Sequence, residues 1–205
     1  FVSGGIHRRG AVKERNSVGD SAAEARTRQM SGELSVGSTE SLGAKWTILD
    51  CPGSIELFQE AVNALMVCDI AIVVFEPSSD RVTTLAPLFK FLDDHGIPHM
   101  LLLNKLDTAT EPVLDVYQAL RQIETRPLVL RQIPIRDGEE ITGYVDLVNG
   151  RAYKYVTGEA SERIDIPADL TDEYETARTE MLEALSDFDD TLLEKLLEDE
   201  IPEVD

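Results

Sequence analysis

Two short polar motifs carry residue types that can hold a phosphorylated ligand and read a base. The first is Asp50-Cys51-Pro52-Gly53, and the second is Asn104-Lys105-Leu106-Asp107. At ordinary residue frequencies, either pattern arises by chance in roughly a few per cent of chains of this length. Their joint occurrence, in this order and each after a predicted strand, has a chance below about 1%. The two motifs are therefore the first candidates for a binding site.

The second motif has the chemistry to select a guanine base. The two carboxylate oxygens of Asp107 match the N1–H and exocyclic amino donors of guanine, whereas adenine has no such donor pair and is rejected. Asn104 can hold the loop and meet the base edge, and Lys105 can lay its methylene stem along the ring. The structural alternative is an ordinary β-turn over residues 104–107 with an Asx hydrogen bond.

The first motif has the chemistry to bind a metal ion and a terminal phosphate. Asp50 supplies the hard oxygen that Mg²⁺ prefers, reached through a water molecule. Gly53 has no side chain, so its backbone N–H can approach a phosphate closely. The structural alternative for Asp50 is a helix N-cap. Cys51 is not predicted to be a nucleophile, because no histidine lies near it in the sequence.

Both motifs follow predicted strands of an α/β pattern. Apolar runs and periods predict strands at 45–50, 70–75 and 100–103, and helices at 55–68, 85–94 and 113–123. The run Ile70–Phe75 is rich in β-branched residues, which predicts a strand that is covered on both faces. Such an alternation predicts a parallel sheet with right-handed crossovers, and ligands of these sheets bind beyond the carboxyl ends of the strands.

The flanking segments show a different pattern. Residues 10–31 have no clean period and predict a loop, and the residues after them predict a hairpin with a turn near Ser41–Gly43. Further on, alternating residues and the Asp137-Gly138 turn predict an antiparallel meander. Thr171 is the predicted N-cap of a long helix, and a second amphipathic segment is predicted at 192–197.

Composition limits the possible function classes. The 205 residues carry a formal net charge of −20, and residues 159–205 alone hold 18 acidic against three basic residues. Such a charge repels phosphate backbones and anionic lipid, which argues against DNA and membrane binding. No apolar run approaches the ~20 residues that span a bilayer. Two cysteines fit a reducing, cytoplasmic compartment, and the three histidines lack the spacing of a zinc site.

Together these motifs resemble the GTP-binding domain of translational GTPases, most closely that of elongation factor G and its paralogues. Residues 50–53 match the second switch of that family, residues 104–107 match its guanine box, and Arg28-Gln29-Met30-Ser31 lies where the family has its first-switch threonine. Further runs resemble the subdomain inserted in elongation factor G: Gln132–Ile135, Gly143–Val148, Asp165–Pro167 and Asp189–Lys195. This insertion makes the resemblance specific to elongation factor G.

The resemblance implies an α/β fold, a partial P-loop GTPase-type parallel sheet with an inserted α+β subdomain. Residues 1–125 are expected to form an incomplete GTP-binding core and residues 126–205 an incomplete inserted subdomain. The implied cofactors are GTP or GDP and Mg²⁺, with the metal held by Asp50 and Ser31 and the catalytic position occupied by Ser54. The implied nucleotide contacts come from six residues: Asp50, Pro52, Gly53, Asn104, Lys105 and Asp107.

Departures from the family pattern bear on activity. The family's phosphate loop, Gly-x-x-x-x-Gly-Lys-Ser/Thr, is absent, and the chain runs from Phe1 to Asp205. The histidine that follows the second-switch glycine in the family is Ser54 here, and the first-switch threonine is Ser31. The chain is therefore expected to be a fragment of a longer GTPase. By itself, this fragment is expected to be inactive and to bind guanine nucleotides weakly or not at all.

By the same resemblance, the ribosome is the expected partner and a monomer the expected state. The basic residues among the first thirty either contact ribosomal RNA or lie in a solvated loop. The alternative function is a non-hydrolysing interaction or regulatory module with a degenerate nucleotide site, which docks through its acidic C-terminal helix. A Gly-x-x-x-x-Gly-Lys-Thr motif before Phe1 in the native gene would favour the GTPase, and its absence would favour the module.

Overall fold

The computed structural model describes residues 10, 14, 19, 22–41, 43–109, 111–138, 140–156 and 159–187. The amphipathic segment predicted at 192–197 and the basic residues before Gly10 lie outside this set. The chain divides into two compact units: the first takes the described residues up to Val73 with His95–Met100, and the second takes Val74–Asp94 with those from Leu101 onward. Within the described residues, no helix is long and apolar enough to cross a membrane.

A short helix, α1, lies where the sequence predicts a loop. It spans Ala23–Arg28 and ends at Gln29, which adopts the left-handed conformation with φ 54°. Glu24 and Arg28 form an ion pair of 2.9 Å across one helical turn. Ala25 is the one buried residue of α1, so the helix has almost no apolar face and hydrophobic periodicity could not reveal it.

An antiparallel hairpin carries the first motif at its end. Strand β1 spans Ser35–Ser41, strand β2 spans Ala44–Asp50, and they pair along their whole length. The turn between them uses Gly43 at φ 75°, a conformation that glycine adopts without steric cost. Trp46 is half exposed on β2. The predicted hairpin is therefore confirmed.

The helix after the first motif is shorter than predicted. A 3₁₀ turn spans Ile55–Leu57, and helix α2 then spans Phe58–Leu65. The thiol of Cys68, which the sequence places in the helix, donates to the carbonyl of Leu65 at 3.4 Å. This contact occupies a carbonyl that the ended helix leaves without an intrahelical partner.

Two parallel strands follow α2. Strand β3 spans Ala71–Phe75 and strand β4 spans His99–Leu103, and the two strands pair with each other. Hydrogen bonds of 2.9 Å lie at both ends of this pair, from the N–H of Ala71 to Pro98 and from the N–H of Asn104 to Phe75. From the first hydrogen bond to the second, the residue numbers increase on both strands, so the strands run in the same direction.

The prediction that β3 is covered on both faces is wrong for the described structure. Alternate residues from Ala71 to Phe75 are buried, but Ile72 and Val74 on the other face are 59% and 53% exposed. Two residues of β4 are exposed as well: Met100 and Leu102. A continuous apolar run shows that both faces of a strand are apolar, but it does not show whether another helix or strand packs against each face.

Helices α3 and α4 pack against each other in the second unit. Helix α3 spans Ser79–Asp94 and begins six residues before the predicted Leu85, whereas α4 spans Val113–Ile123, as predicted. Buried residues of these helices come from both: Phe89 and Leu92 from α3, and Val116 and Leu120 from α4. After α3, Gly96 adopts the left-handed conformation that commonly follows a helix.

The second unit also contains an antiparallel sheet with the strand order β5-β6-β7-β8. Its strands are β5 at Gln132–Asp137, β6 at Glu140–Asp146, β7 at Arg151–Lys154 and β8 at Glu162–Ile164. The predicted meander corresponds to the first three strands, and β8 is too short to show a period. One face of the sheet forms a core with a helix described next: Ile133, Ile135, Val145, Leu147, Ala152, Met181 and Leu182.

Helix α5 spans Thr171–Ser186 and contributes Met181 and Leu182 to that core. The prediction that Thr171 is its N-cap is wrong, because a 3₁₀ turn ends at Leu170 and Leu170 occupies the cap position. The Thr171 hydroxyl instead donates backward to the carbonyl of Pro167 at 3.4 Å. The preceding turn thus moves the helix start by one residue.

A buried arginine joins α5 to the turn between β6 and β7. Arg178 is 9% exposed, and its guanidinium donates to the backbone carbonyls of Leu147 and Val148, the second at 3.2 Å. Gly150 in this turn has φ 63°, and a Cβ there would lie 2.8 Å from the hydroxyl oxygen of Tyr174. Glycine therefore allows α5 to approach the turn closely enough for these hydrogen bonds.

We expect Arg178→Ala to lower the free energy of unfolding by about 2–4 kcal/mol, because it removes a charged donor and leaves two carbonyls without it. The matched control is Arg163→Ala, at an exposed position on β8, which should change stability by less than about 0.5 kcal/mol. Urea unfolding followed by circular dichroism measures both. Equal midpoints for the two variants would contradict this role of Arg178.

Candidate functional site

The second motif begins where the parallel strand pair ends. Asn104 directly follows β4, and its backbone N–H donates to the carbonyl of Phe75, the last residue of β3, at 2.9 Å. This hydrogen bond joins the two strand ends, so the loops after β3 and after β4 begin at the same edge. That edge is where ligands of parallel α/β sheets bind.

The loop of the second motif has a defined backbone shape. Lys105 adopts the left-handed conformation with φ 57° and ψ 43°, which costs a residue with a side chain roughly 1–2 kcal/mol. Its carbonyl accepts hydrogen bonds from the N–H and the hydroxyl of Thr108, both at 3.1 Å, over the 3₁₀ turn Leu106–Thr108. Thr108 thus closes the turn, while the side chains of Asn104 and Asp107 are exposed.

The loop after β3 holds the side chain of Lys105. The ammonium of Lys105 donates to Glu76 Oε1, and the guanidinium of Arg81 lies 3.0 Å from Glu76 Oε2. The hydrogen bond from Lys105, followed by the charge of Arg81, lowers the pKa of Glu76 below its ordinary 4.5. One carboxylate therefore stays charged between two cations and connects the two loops.

A second carboxylate joins the same two loops. Glu111, just before α4, accepts hydrogen bonds at Oε2 from the hydroxyl of Ser79 at 2.5 Å and from its N–H at 3.0 Å. Ser79 is the first residue of α3, so Glu111 satisfies an N–H that the helix cannot and meets the positive end of the helix dipole. The hydroxyl, and then the N–H, lower the pKa of Glu111.

The first motif lies in the first unit, directly after β2. Asp50 ends β2 and is exposed, Pro52 is buried, and Gly53 is exposed. Asp50 is not a helix N-cap, because the next 3₁₀ turn begins at Ile55 with Ser54 in the cap position. The side chain of Ser54 makes no capping hydrogen bond, so the helix start does not engage its hydroxyl.

The carboxylate of Asp50 lies close to the backbone at Gly19. A Cβ at Gly19 would lie 3.0 Å from Asp50 Oδ2 and 3.8 Å from the hydroxyl oxygen of Ser35, so glycine keeps this carboxylate unobstructed. The described residues contain no cluster of three His, Cys, Asp or Glu side chains that could hold a metal. A magnesium ion at Asp50 would therefore take its other ligands from water, hydroxyl or phosphate oxygens, as Mg²⁺ commonly does.

The cysteine of the first motif has a poorly reactive thiol. Burial, and then the neighbouring Asp50 carboxylate, raise the pKa of Cys51, and burial raises that of Cys68. Both cysteines are free. A raised thiol pKa disfavours the thiolate, which is the form that attacks electrophiles.

The structure places the predicted site residues in two groups. Asn104, Lys105 and Asp107 share one loop of the second unit. The others belong to the first unit: Ser31, Asp50, Pro52, Gly53 and Ser54. The sequence analysis missed the residues that connect the loops: Glu76, Ser79, Arg81 and Glu111.

Glu76 carried a weak signal, because it directly follows a predicted strand end. Its partner Lys105, however, is 29 positions away. No local spacing rule joins residues so far apart.

A parallel strand pair with the Asn-Lys-Leu-Asp loop at its carboxyl edge defines a nucleotide-binding α/β domain of the GTPase class. The chain belongs to the family described as the elongation factor Tu GTP binding domain, whose profile matches residues 1–199. The predicted resemblance and the predicted α/β fold with a parallel sheet are thereby confirmed.

Individual relatives make the comparison more specific. The chain is 50% identical over 202 residues to an elongation factor G-like protein of Synechocystis sp. (strain ATCC 27184 / PCC 6803 / Kazusa), which covers 98% of this chain and 30% of the relative. A crystal structure of a protein from Thermus thermophilus matches with a TM-score of 0.80 at 28% identity, covering 98% of this chain and 30% of that one. The chain thus spans under a third of the length of both proteins.

We expect the carboxyls of Glu76 and Glu111 to titrate below 4.5 in the folded protein. Because folding lowers both pKa values, the contacts stabilise the fold above the unfolded-state pKa, and this stabilisation is lost as the pH falls through the lowered values. Carbon-13 NMR of the carboxyl groups measures both titrations. Ser79→Ala should return the pKa of Glu111 toward 4.5 and leave that of Glu76 in place, and an unchanged Glu111 titration would contradict the contact.

Proposed function

We propose that this chain is the nucleotide-binding part of a longer elongation-factor-G-like GTPase that binds GTP and GDP with Mg²⁺ and acts with the ribosome. The observation that carries the proposal is the exposed Asp107 carboxylate, in a loop fixed to the parallel strand pair by the Asn104 backbone and the Thr108 turn. The name of the Synechocystis relative, elongation factor G-like protein, supports it.

In this proposal Asp107 selects the base. Its two oxygens accept hydrogen bonds from N1–H and the exocyclic amino group of guanine. Adenine has no matching pair of donors, so its binding would leave the carboxylate unpaired in a desolvated site. The cost is about 3 kcal/mol or more, which is the penalty for a buried charged group without its hydrogen bonds. Asn104 meets the base edge, and the Lys105 stem lies along the ring. The Thr108 turn keeps Asp107 in place, because it restricts the backbone on both sides of the carboxylate.

The first motif holds the phosphate end of the nucleotide in this proposal. Gly53 is exposed, and a Cβ placed on it would meet no atom of the described structure within 4 Å, so the described structure leaves space beside this backbone. Pro52 restricts the backbone just before this glycine. Asp50 and Ser31 hold Mg²⁺, which when bound neutralises and orients the phosphates.

Ser54 occupies the catalytic position in this proposal. A serine hydroxyl is shorter than the family's histidine and neutral, so it reaches the attacking water only through a second water. Placing that water in line is a large part of phosphoryl transfer. We therefore propose slow hydrolysis and a protein that stays mostly in its nucleotide-bound form.

The remaining parts of the proposal come from the family. The ribosome is the partner, the cytoplasm is the compartment and the protein is a monomer. Residues 1–125 form the GTP-binding core, and residues 126–205 form the inserted subdomain. The core of buried residues shared by the second sheet and α5 supports the second assignment, because it gives that segment apolar packing of its own.

Asp107→Asn in the full-length protein should shift base preference from guanine toward xanthine, because the amide presents an N–H where xanthine presents an oxygen. We expect the ratio of GTP to XTP affinity to fall by about 100-fold or more, measured by competition binding. Asp115→Asn, at an exposed position on α4, is the matched control and should leave the ratio unchanged. A preserved guanine preference in the Asp107 variant would remove this residue from the site, and a wild-type protein without guanine-nucleotide affinity would favour the interaction module.

Ser54→His in the full-length protein should raise the rate of GTP hydrolysis, because an imidazole reaches the attacking water directly. The wild-type rate is expected at or below the ~10⁻² s⁻¹ of unstimulated GTPases. Single-turnover hydrolysis with and without ribosomes measures both forms, and the affinity for GTP serves as the control that binding is intact. Fast ribosome-independent hydrolysis by the wild type would show that another residue places the water.

A further inference from the structure

The loop after β3 supplies a carboxylate that belongs to neither motif. Glu76 directly follows β3, and its Oε1 accepts a hydrogen bond from the ammonium of Lys105. The residues just before these two also contact each other: the N–H of Asn104 donates to the carbonyl of Phe75 at 2.9 Å. The backbone hydrogen bond and the ion pair are thus neighbours, so the position of Glu76 relative to Lys105 is fixed by the strand pairing itself.

The lysine needs such a contact because its side chain is flexible. A lysine ammonium is a compact charge on a four-carbon stem with free rotation, and ordering such a stem costs up to about 2 kcal/mol of conformational entropy. The backbone of Lys105 is already fixed in the left-handed conformation. With the ammonium held by Glu76 as well, both ends of the stem are fixed before any base arrives, and binding then costs less entropy.

Arg81 keeps Glu76 in this position. Its guanidinium lies 3.0 Å from Glu76 Oε2, so each carboxylate oxygen contacts a different cation. The side chains of Glu76, Arg81 and Lys105 are 36%, 63% and 59% exposed. Exposed ion pairs contribute little to folding stability, and the cluster therefore serves the geometry of the loop more than the stability of the fold.

We propose that Glu76 is a positioning residue of the guanine site, which sets nucleotide affinity by holding the Lys105 stem along the face of the base. The inference rests on the proposed function, because it requires that the loop of Asn104, Lys105 and Asp107 binds guanine. It adds a residue from outside the motif and assigns it an effect that passes through Lys105 alone. In this inference the hydrogen-bonding edge of the base is left to Asp107.

The test is a double-mutant cycle in the full-length protein with a fluorescent GDP as the probe. Glu76→Gln keeps the shape of the side chain and removes its charge, and we expect it to raise the Kd for GDP about 5–20-fold, mainly through faster dissociation. In a Lys105→Met background, Glu76→Gln should change the Kd by less than about twofold, because the contact is already lost. Asp94→Asn is the matched control, since Asp94 lies on α3 and pairs with Lys90 at 2.8 Å; it should leave the Kd unchanged.

Two further readouts separate positioning from a general loosening of the loop. Thermal unfolding midpoints of Glu76→Gln and Asp94→Asn should stay close to that of the wild type, because exposed ion pairs contribute little to stability. Inosine diphosphate lacks the amino group that pairs with Asp107, and Glu76→Gln should weaken GDP and inosine diphosphate binding by the same factor. A changed ratio between these two ligands would overturn the proposal, because it would mean that Asp107 had moved.

The outcomes of the cycle are distinct. A wild-type protein that binds GDP with the same Kd as Glu76→Gln overturns this inference and leaves the proposed function standing. An equal effect of Glu76→Gln with and without Lys105 overturns it as well, because the effect would not pass through the lysine. A wild-type protein that binds no guanine nucleotide overturns the proposed function and this inference together.

Discussion

The parallel pairing of β3 and β4 is the constraint on which the candidate guanine site depends. Its last hydrogen bond, from Asn104 to Phe75, places the ends of both strands side by side. Two loops that are far apart in the chain therefore begin next to each other, one with Glu76 and the other with Lys105. Parallel strands need a long crossover between them, so helix α3 begins next to the loop after β3 and returns the chain to the start of β4.

The two loops are then joined by side chains rather than by a common core. Glu76 holds Lys105 on one side, and Glu111 caps the start of α3 through Ser79 on the other. Such contacts are polar and partly exposed, and they contribute modestly to stability. They suit a binding loop, because they fix its shape and leave the acceptors of Asp107 exposed. Ligand-binding loops commonly belong to the less stable parts of a protein for this reason.

The second sheet follows a different rule, because apolar packing holds it together. Val145, Leu147 and Ala152 are fully buried against α5. The buried guanidinium of Arg178 in this interface is satisfied by two carbonyls of the β6–β7 turn. A buried charge is tolerated only with such partners, so Arg178 fixes where α5 lies along the turn. This segment therefore has an apolar core of its own.

The sequence by itself determined the features that have a local signature. Periodicity and turn residues predict the hairpin, α4, the end of β2 at Asp50 and the end of β4 before Asn104. Both motifs lie where these signals place them. Helix α1 and the start of α3 could not be predicted from the sequence, because these segments have little apolar face and depend on caps and ion pairs. The burial of one face of β3 and exposure of the other, with Ile72 and Val74 on the exposed face, also could not be read from an apolar run.

Tertiary structure alone decided which side chains support the site. Glu76 and Lys105 are 29 positions apart, and Ser79 and Glu111 are 32 apart. Contacts of this kind arise because the strands pair in parallel, and no spacing along the chain encodes them. The sequence therefore determined which residues are candidates for the chemistry of the loop, while the fold determined which residues hold them in place.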